Sequence, residues 1–142
     1  MKFDWSEYFY LAKELAETSE EAELRSAVSR AYYSAFCLAR NYLRDIEQDP
    51  RLSRNKTYDI NVHEYVAEEF IYNQSKSQTK IEIGKDLSRL RKMRNKADYE
   101  DTIFINFQKE AKTALMLAEN IISALSKLTQ QSGNSEMLHH SQ

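Results

Sequence analysis

Apolar residues recur every three or four positions along most of the chain, the period of amphipathic helices. Polar caps divide the pattern into five stretches. The first covers 5–17, opened by Asp4 and Glu7, three apart as in a capping box. The second covers 20–47, with Ser19 as cap and Glu20 and Glu21 at the positive end of the helix dipole. Residues 48–60 hold the only proline and read as a loop. The third helix covers 62–76, with Asn61 and Glu64 as a capping pair, and the fourth covers 80–97, after Thr79 and Glu82. The fifth starts between 102 and 107 and ends near 129. Its apolar positions Phe107, Ala111, Ala114, Ala118, Ile121, Leu125 and Leu128 make one long buried stripe. Residues 130–142 lose the period and are expected to form a flexible polar tail, which includes His139 and His140.

The second helix has two faces. Leu24, Ala27, Val28, Ala31, Ala35, Leu38, Ala39, Tyr42 and Ile46 form a wide apolar side, and the alanines on it admit a close neighbour. Ser26, Arg30, Tyr33, Cys37, Arg40 and Arg44 lie opposite. An aromatic and a thiol among arginines fit a dimer seam or ligand cleft. They also fit a helix touched on two sides, with Tyr33 packed and the arginines in water.

In the fourth helix, Ile83, Leu87, Leu90, Met93 and Ala97 form the apolar face, yet Arg94 falls inside that stripe. Lys85, Arg89, Lys92 and Lys96 make a separate outer row, and Arg91 flanks the stripe. A partly buried guanidinium is costly unless paired. Asp98, one turn on, is a natural partner for an internal staple. The alternative is that Arg94 opens on a cleft and binds an anion, for which phosphate suits its planar fork.

Composition supports an all-α protein. Two glycines and one proline in 142 residues leave little to interrupt helices, and the length fits one domain. The net charge of -2 gives no global basic field, although residues 85–96 carry six bases against one acid. The lone Cys37 allows no intrachain disulfide. The acidic N-terminus lacks a signal core and no apolar run would span a bilayer, so a cytoplasmic protein without membrane contact is expected. With no glycine-rich phosphate loop, Cys/His metal spacing or nucleophile motif, no cofactor and no metal are expected.

The runs SAVSRAYYSAFCLARNYL at 26–43, NVHEYVAEEF at 61–70 and LSRLRKMRNKADYED at 87–101 together resemble the HEPN domain, named for nucleotide binding in higher eukaryotes and prokaryotes. The resemblance covers about 5–128 and is to the short stand-alone prokaryotic members. The matching positions are Arg30, Tyr32 and Tyr33, then His63, then Arg94, Asp98 and Tyr99. It implies an up-and-down bundle of four to five helices over residues 1–129. It also implies a homodimer in which two copies form one cleft. Many such proteins are metal-independent ribonucleases, often toxins paired with a minimal nucleotidyltransferase antitoxin or parts of defence systems. Their signature places a histidine four to six residues beyond an arginine and its polar neighbour. Arg94 and Asn95 match the start, but Tyr99, Glu100 and Asp101 stand where the histidine would fall. A tyrosine with a pKa of about 10 is a poor base beside a histidine at about 6.5.

His63, beside the stripe of Val62, Val66 and Phe70, is either a packing residue or, if it faces Arg94, a general-base candidate. The leading expectation is a toxin–antitoxin or defence-type HEPN protein that binds RNA or a nucleotide. Arg30, Tyr33, Arg91, Asn95 and Asp98 would line its cleft. One alternative is an active ribonuclease using Arg94, Tyr99 and His63 and leaving 2′,3′-cyclic phosphates. The other is a non-catalytic helical adaptor.

Overall fold

The computed structural model describes residues 2–53, 61–102 and 106–140, with 134–140 as backbone alone. The fold is all-α, an up-and-down bundle of α1 (Ser6–Leu15), α2 (Glu21–Asn41), α3 (Val62–Ile71), α4 (Gln78–Tyr99) and α5 (Phe107–His140). A π-helical turn, Tyr42–Ile46, continues α2, and a single 3-10 turn, Pro50–Leu52, follows it. No strand occurs among the described residues, and none of their helices is long and apolar enough to cross a membrane.

α2 is the central helix, in contact with α1, α4 and α5, while α3 lies chiefly on α4. Its predicted apolar face is buried from Leu24 through Tyr42, except that Leu38 is half-buried. Ala27, Ala31, Ala35 and Ala39 are sealed, and α5 adds a matching row of Ala111, Ala114 and Ala118. Small side chains on both helices allow this close packing. Every position of the predicted α5 stripe is buried. Ile46 departs from its expected burial because the π turn changes the helical phase; it is 41% exposed.

Several boundaries differ from the sequence pattern. α3 stops at Ile71 instead of 76. Asn73 there donates to the Phe70 carbonyl at 2.8 Å and accepts from the Ser77 N–H at 2.8 Å. A side chain thus replaces the helical ladder. Lys76 turns the chain with a φ of 54°, and Ser77, not Thr79, caps α4. Asp4 accepts from the N–H and hydroxyl of Ser6 and forms no box with Glu7. Glu20 occupies the N-cap of α2 and makes no side-chain cap bond, so Ser19 is not its cap. The Asn61 cap is as expected, accepting from the Glu64 N–H at 3.3 Å. Asn106 caps α5, which continues to His140 and past the expected end near 129. Within the expected loop at 48–60, residues 54–60 lie outside the described residues.

Candidate functional site

The side of α2 opposite its apolar face is not left to solvent. Trp5 accepts from the Ser34 hydroxyl through its carbonyl at 2.8 Å, which docks the N-terminal segment there. Phe3, Trp5 and Tyr8 then pack edge to face. Arg40 lies 5.7 Å from the Trp5 ring centre and Arg30 lies 4.7 Å from that of Tyr8. Cys37 is buried, and burial pushes its thiol pKa up. Tyr33 is half-buried against other elements, yet the arginines near it are half-buried too, lying on aromatic rings. Neither sequence alternative for this face is met in full.

Tyr32 and Tyr33 are the hub of the site. Arg94 is 7% exposed, and its guanidinium lies 5.2 Å from the Tyr32 ring, 5.3 Å from Tyr33 and 6.0 Å from Tyr99. Arg30 approaches Tyr33 as well, at 5.3 Å. Such stacking stabilises a partly desolvated guanidinium without neutralising it. Its carboxylate partner is Asp98, as the spacing predicts, but the separation is 3.7 Å and Asp98 also accepts from the Ser29 hydroxyl at 3.2 Å. The Nε atoms of Arg94 and Arg91 are buried and have no hydrogen-bond partner among the described residues.

His63 enters from the start of α3. Its Nδ1 is 2.6 Å from the Tyr32 hydroxyl, and its ring stacks on Phe36 at 4.4 Å. His63 and Arg94 therefore touch the same tyrosine, which joins residues from three helices. A cleft of about 390 Å³ opens between α3 and α4 beside this group. Tyr32, His63, Ser88, Arg91, Lys92 and Asn95 line it, with Glu64 and Glu68 on the α3 wall. Arg94 does not line this cleft; it is set behind Tyr32. Tyr99 is 75% exposed at the end of α4, outside the cleft.

Burial is the main cause that lowers the His63 pKa from 6.5 to about 4, and Arg91, Arg94 and Arg40 add to it. Between these values the unfolded chain binds a proton that the folded chain refuses. Stability is therefore full above pH 6.5 and falls as the pH drops toward 4. Melting curves at pH 7 and pH 5 are expected to show a lower Tm at pH 5, with a smaller drop in His63→Gln. Burial also raises the Tyr32 pKa far above its ordinary value, so its phenol stays protonated.

Arg25 was not marked by the sequence pattern. Its Nη1 donates to the carbonyls of Ala97 at 2.9 Å and Glu100 at 2.8 Å, and the guanidinium lies 4.9 Å from the Phe107 ring. A cation on the last carbonyls of α4 satisfies groups that the helix cannot. It thereby holds the segment bearing Asp98 and Tyr99. Arg25→Met keeps the apolar stem over Phe107 and loses the carbonyl bonds. It is expected to cost about 1–2 kcal/mol and to speed amide exchange at Glu100, measured by hydrogen-exchange NMR.

Among the described residues, no three His, Cys, Asp or Glu side chains gather as a metal site. No curated protein and no solved structure matches this chain. The family model of the HEPN domain matches residues 6–128, a span that contains every helix bearing the tyrosine–arginine group, and the chain belongs to the HEPN domain family.

Proposed function

We propose that this protein binds RNA through phosphate at the α3–α4 cleft and the arginine–tyrosine group beside it. The observation that carries the reading is a surplus of guanidinium charge. Arg30, Arg40, Arg91 and Arg94 gather around Tyr32, Tyr33, Trp5 and His63. Among the described residues, the one carboxylate paired with any of them is Asp98, at 3.7 Å. Half-buried cations without carboxylates favour an anionic ligand, although Arg40 also donates to the Asn41 side chain, and exposed aromatic rings nearby suit unstacked bases. Arg91, Lys92, Asn95 and His63 would contact the phosphate, Arg94 would add its field from behind Tyr32, and Tyr99 would offer a base platform. In this reading the protein acts as a homodimer in the cytoplasm, in a toxin–antitoxin or defence setting. A minimal nucleotidyltransferase would be its companion.

The test is fluorescence anisotropy with a short single-stranded RNA at several salt concentrations. Binding through two or three phosphates gives a log–log salt slope of about -2. Arg91→Ala is expected to weaken binding about tenfold. An affinity indifferent to both salt and Arg91 would overturn the proposal.

A second reading, metal-independent cleavage of RNA, is favoured by one placement: His63 and Arg94 meet on Tyr32. Against it stands the His63 pKa of about 4, which leaves the ring neutral at pH 7 but a weak base. Labelled total RNA and tRNA in EDTA, incubated with the wild type, Arg94→Ala and His63→Ala, separate the readings. Cleavage by the wild type alone supports the nuclease, cleavage by all three indicates contamination, and intact RNA that is nevertheless bound supports the binding module.

A further inference from the structure

We infer that Tyr32 is a positioning residue that locks His63 in the tautomer bearing its proton on Nε2, which makes the imidazole a neutral hydrogen-bond donor to a phosphate oxygen in the α3–α4 cleft. The ligand half of this inference rests on the phosphate-binding reading above; the tautomer half stands alone. It begins from the 2.6 Å contact between the Tyr32 hydroxyl and His63 Nδ1. One proton lies between these atoms, and the surroundings decide which atom owns it. Tyr32 is 1% exposed, and its hydroxyl has no other hydrogen-bond partner among the described residues. If Nδ1 carried the proton and donated it, the phenolic hydrogen would be left buried with no acceptor, at the full desolvation cost of an unmade bond. If the phenol donates, both groups are satisfied and the imidazole proton sits on Nε2.

The rest of the His63 environment fits this assignment. The ring lies against Phe36 at 4.4 Å and near Tyr32 at 5.7 Å, which fixes its plane, and the Nδ1 contact with the Tyr32 hydroxyl fixes which edge faces the core. Its Nε2 has no partner among the described residues, yet it is not one of their sealed, unpartnered polar atoms. It is therefore open to solvent, and we take that opening to be the cleft that His63 lines with Ser88, Arg91, Lys92 and Asn95. Those four residues of α4 can each donate a hydrogen bond to a phosphate oxygen, which accepts several at once, while the carboxylates Glu64 and Glu68 line the α3 wall. Burial first, and then the positive charge of Arg91, Arg94 and Arg40, keeps the ring unprotonated, so His63 contributes a directed N–H and no charge. In this state Nε2 has no lone pair to take a proton, and Nδ1 is already engaged. The same contact that orients His63 for binding thus removes it as a resting general base.

The first test is nitrogen-15 NMR of the histidine ring in the full chain at pH 7, with His63→Gln used to assign the His63 signals. The expected result is a protonated-type shift at Nε2 and an unprotonated-type shift at Nδ1, relaxing to a tautomer mixture in Tyr32→Phe. A proton on Nδ1, or the same mixture in both proteins, would overturn the lock. The second test compares a short single-stranded RNA and inorganic phosphate as ligands of the wild type, His63→Gln and His63→Leu. Glutamine places an amide N–H near the Nε2 position, so it is expected to keep the wild-type affinity, while leucine loses about tenfold. Loss of affinity in neither variant overturns the donor role. Binding of inorganic phosphate with the same pattern assigns the contact to phosphate itself. If RNA binds with that pattern and phosphate alone does not, the donor role stands for an RNA acceptor and the assignment to free phosphate falls. If neither ligand binds the wild type, the phosphate reading fails, while the NMR result still decides the tautomer.

Discussion

Arg94→Met is expected to leave the fold intact and to weaken RNA binding. The buried guanidinium is stacked on tyrosines, with its Nε unpartnered and its carboxylate at 3.7 Å. Removing the cation alone leaves Asp98 without it, but that carboxylate keeps the Ser29 hydroxyl and a side chain 27% exposed to water, so the cost is held to about 1–2 kcal/mol. Methionine can follow the same path against Tyr32 and Tyr33. Arg94→Ala removes that packing as well and is expected to cost about 2–3 kcal/mol. Denaturant titration therefore separates the two variants, while RNA binding does not, because both lose the charge. Arg94 acts on the phosphate through its field and not through a hydrogen bond, so the binding loss is about 1 kcal/mol, roughly fivefold, and smaller than that of Arg91→Ala. If Arg94→Met binds RNA normally, the residue is only a structural staple with Asp98, as the adaptor reading holds. The side chain then serves packing, and its field does not reach the phosphate.

Gly84→Ala is expected to destabilise the protein by about 2 kcal/mol, although alanine is normally the better helix former by about 1 kcal/mol. Gly84 lies in the first half of α4, where it packs against α3. A Cβ there would stand 2.5 Å from Ile71 Cγ1, 2.7 Å from the Ala67 carbonyl oxygen and 2.9 Å from the Ile71 nitrogen. Two of these three atoms are backbone, so a rotamer change cannot clear the clash. The helices must separate, and His63 and Arg91 sit on the two of them. Chemical denaturation should report the lost stability. RNA affinity should fall as well, because the walls of the cleft move apart. Gly133 serves as the control: a Cβ there meets nothing within 4 Å, so Gly133→Ala should be neutral or slightly stabilising.

Much of the bundle is legible in one dimension. The stripes on α4 and α5 are buried at every predicted position, and Arg94 is buried where its register places it. The outer row of Lys85, Arg89, Lys92 and Lys96 is exposed as predicted. These features follow from helical period alone, which is a local property. Helix ends were less legible, since Asn73 competes for backbone groups through a side chain whose choice the pattern does not reveal. The Arg25 cap was hidden for another reason. Its acceptors are more than seventy residues away, and an arginine near a helix start gives no sign of capping a different helix.

The site divides in the same way. The sequence by itself determined an all-α chain of the HEPN type, with an arginine in an apolar stripe, Asp98 one turn beyond it and His63 at a helix start. Periodicity and capping act within a few residues, so they can be read from the order of the chain. Only the tertiary structure decided that Arg94 lies behind Tyr32 and outside the α3–α4 cleft, and that Arg91, Lys92 and Asn95 line the opening. It alone joined His63 to Tyr32, which the sequence marked only as a position of the family resemblance. The physical reason is that a hydrogen bond between helices depends on how they cross. That crossing is set by Gly84 and the alanine rows, whose small size permits close approach without naming which polar groups will meet.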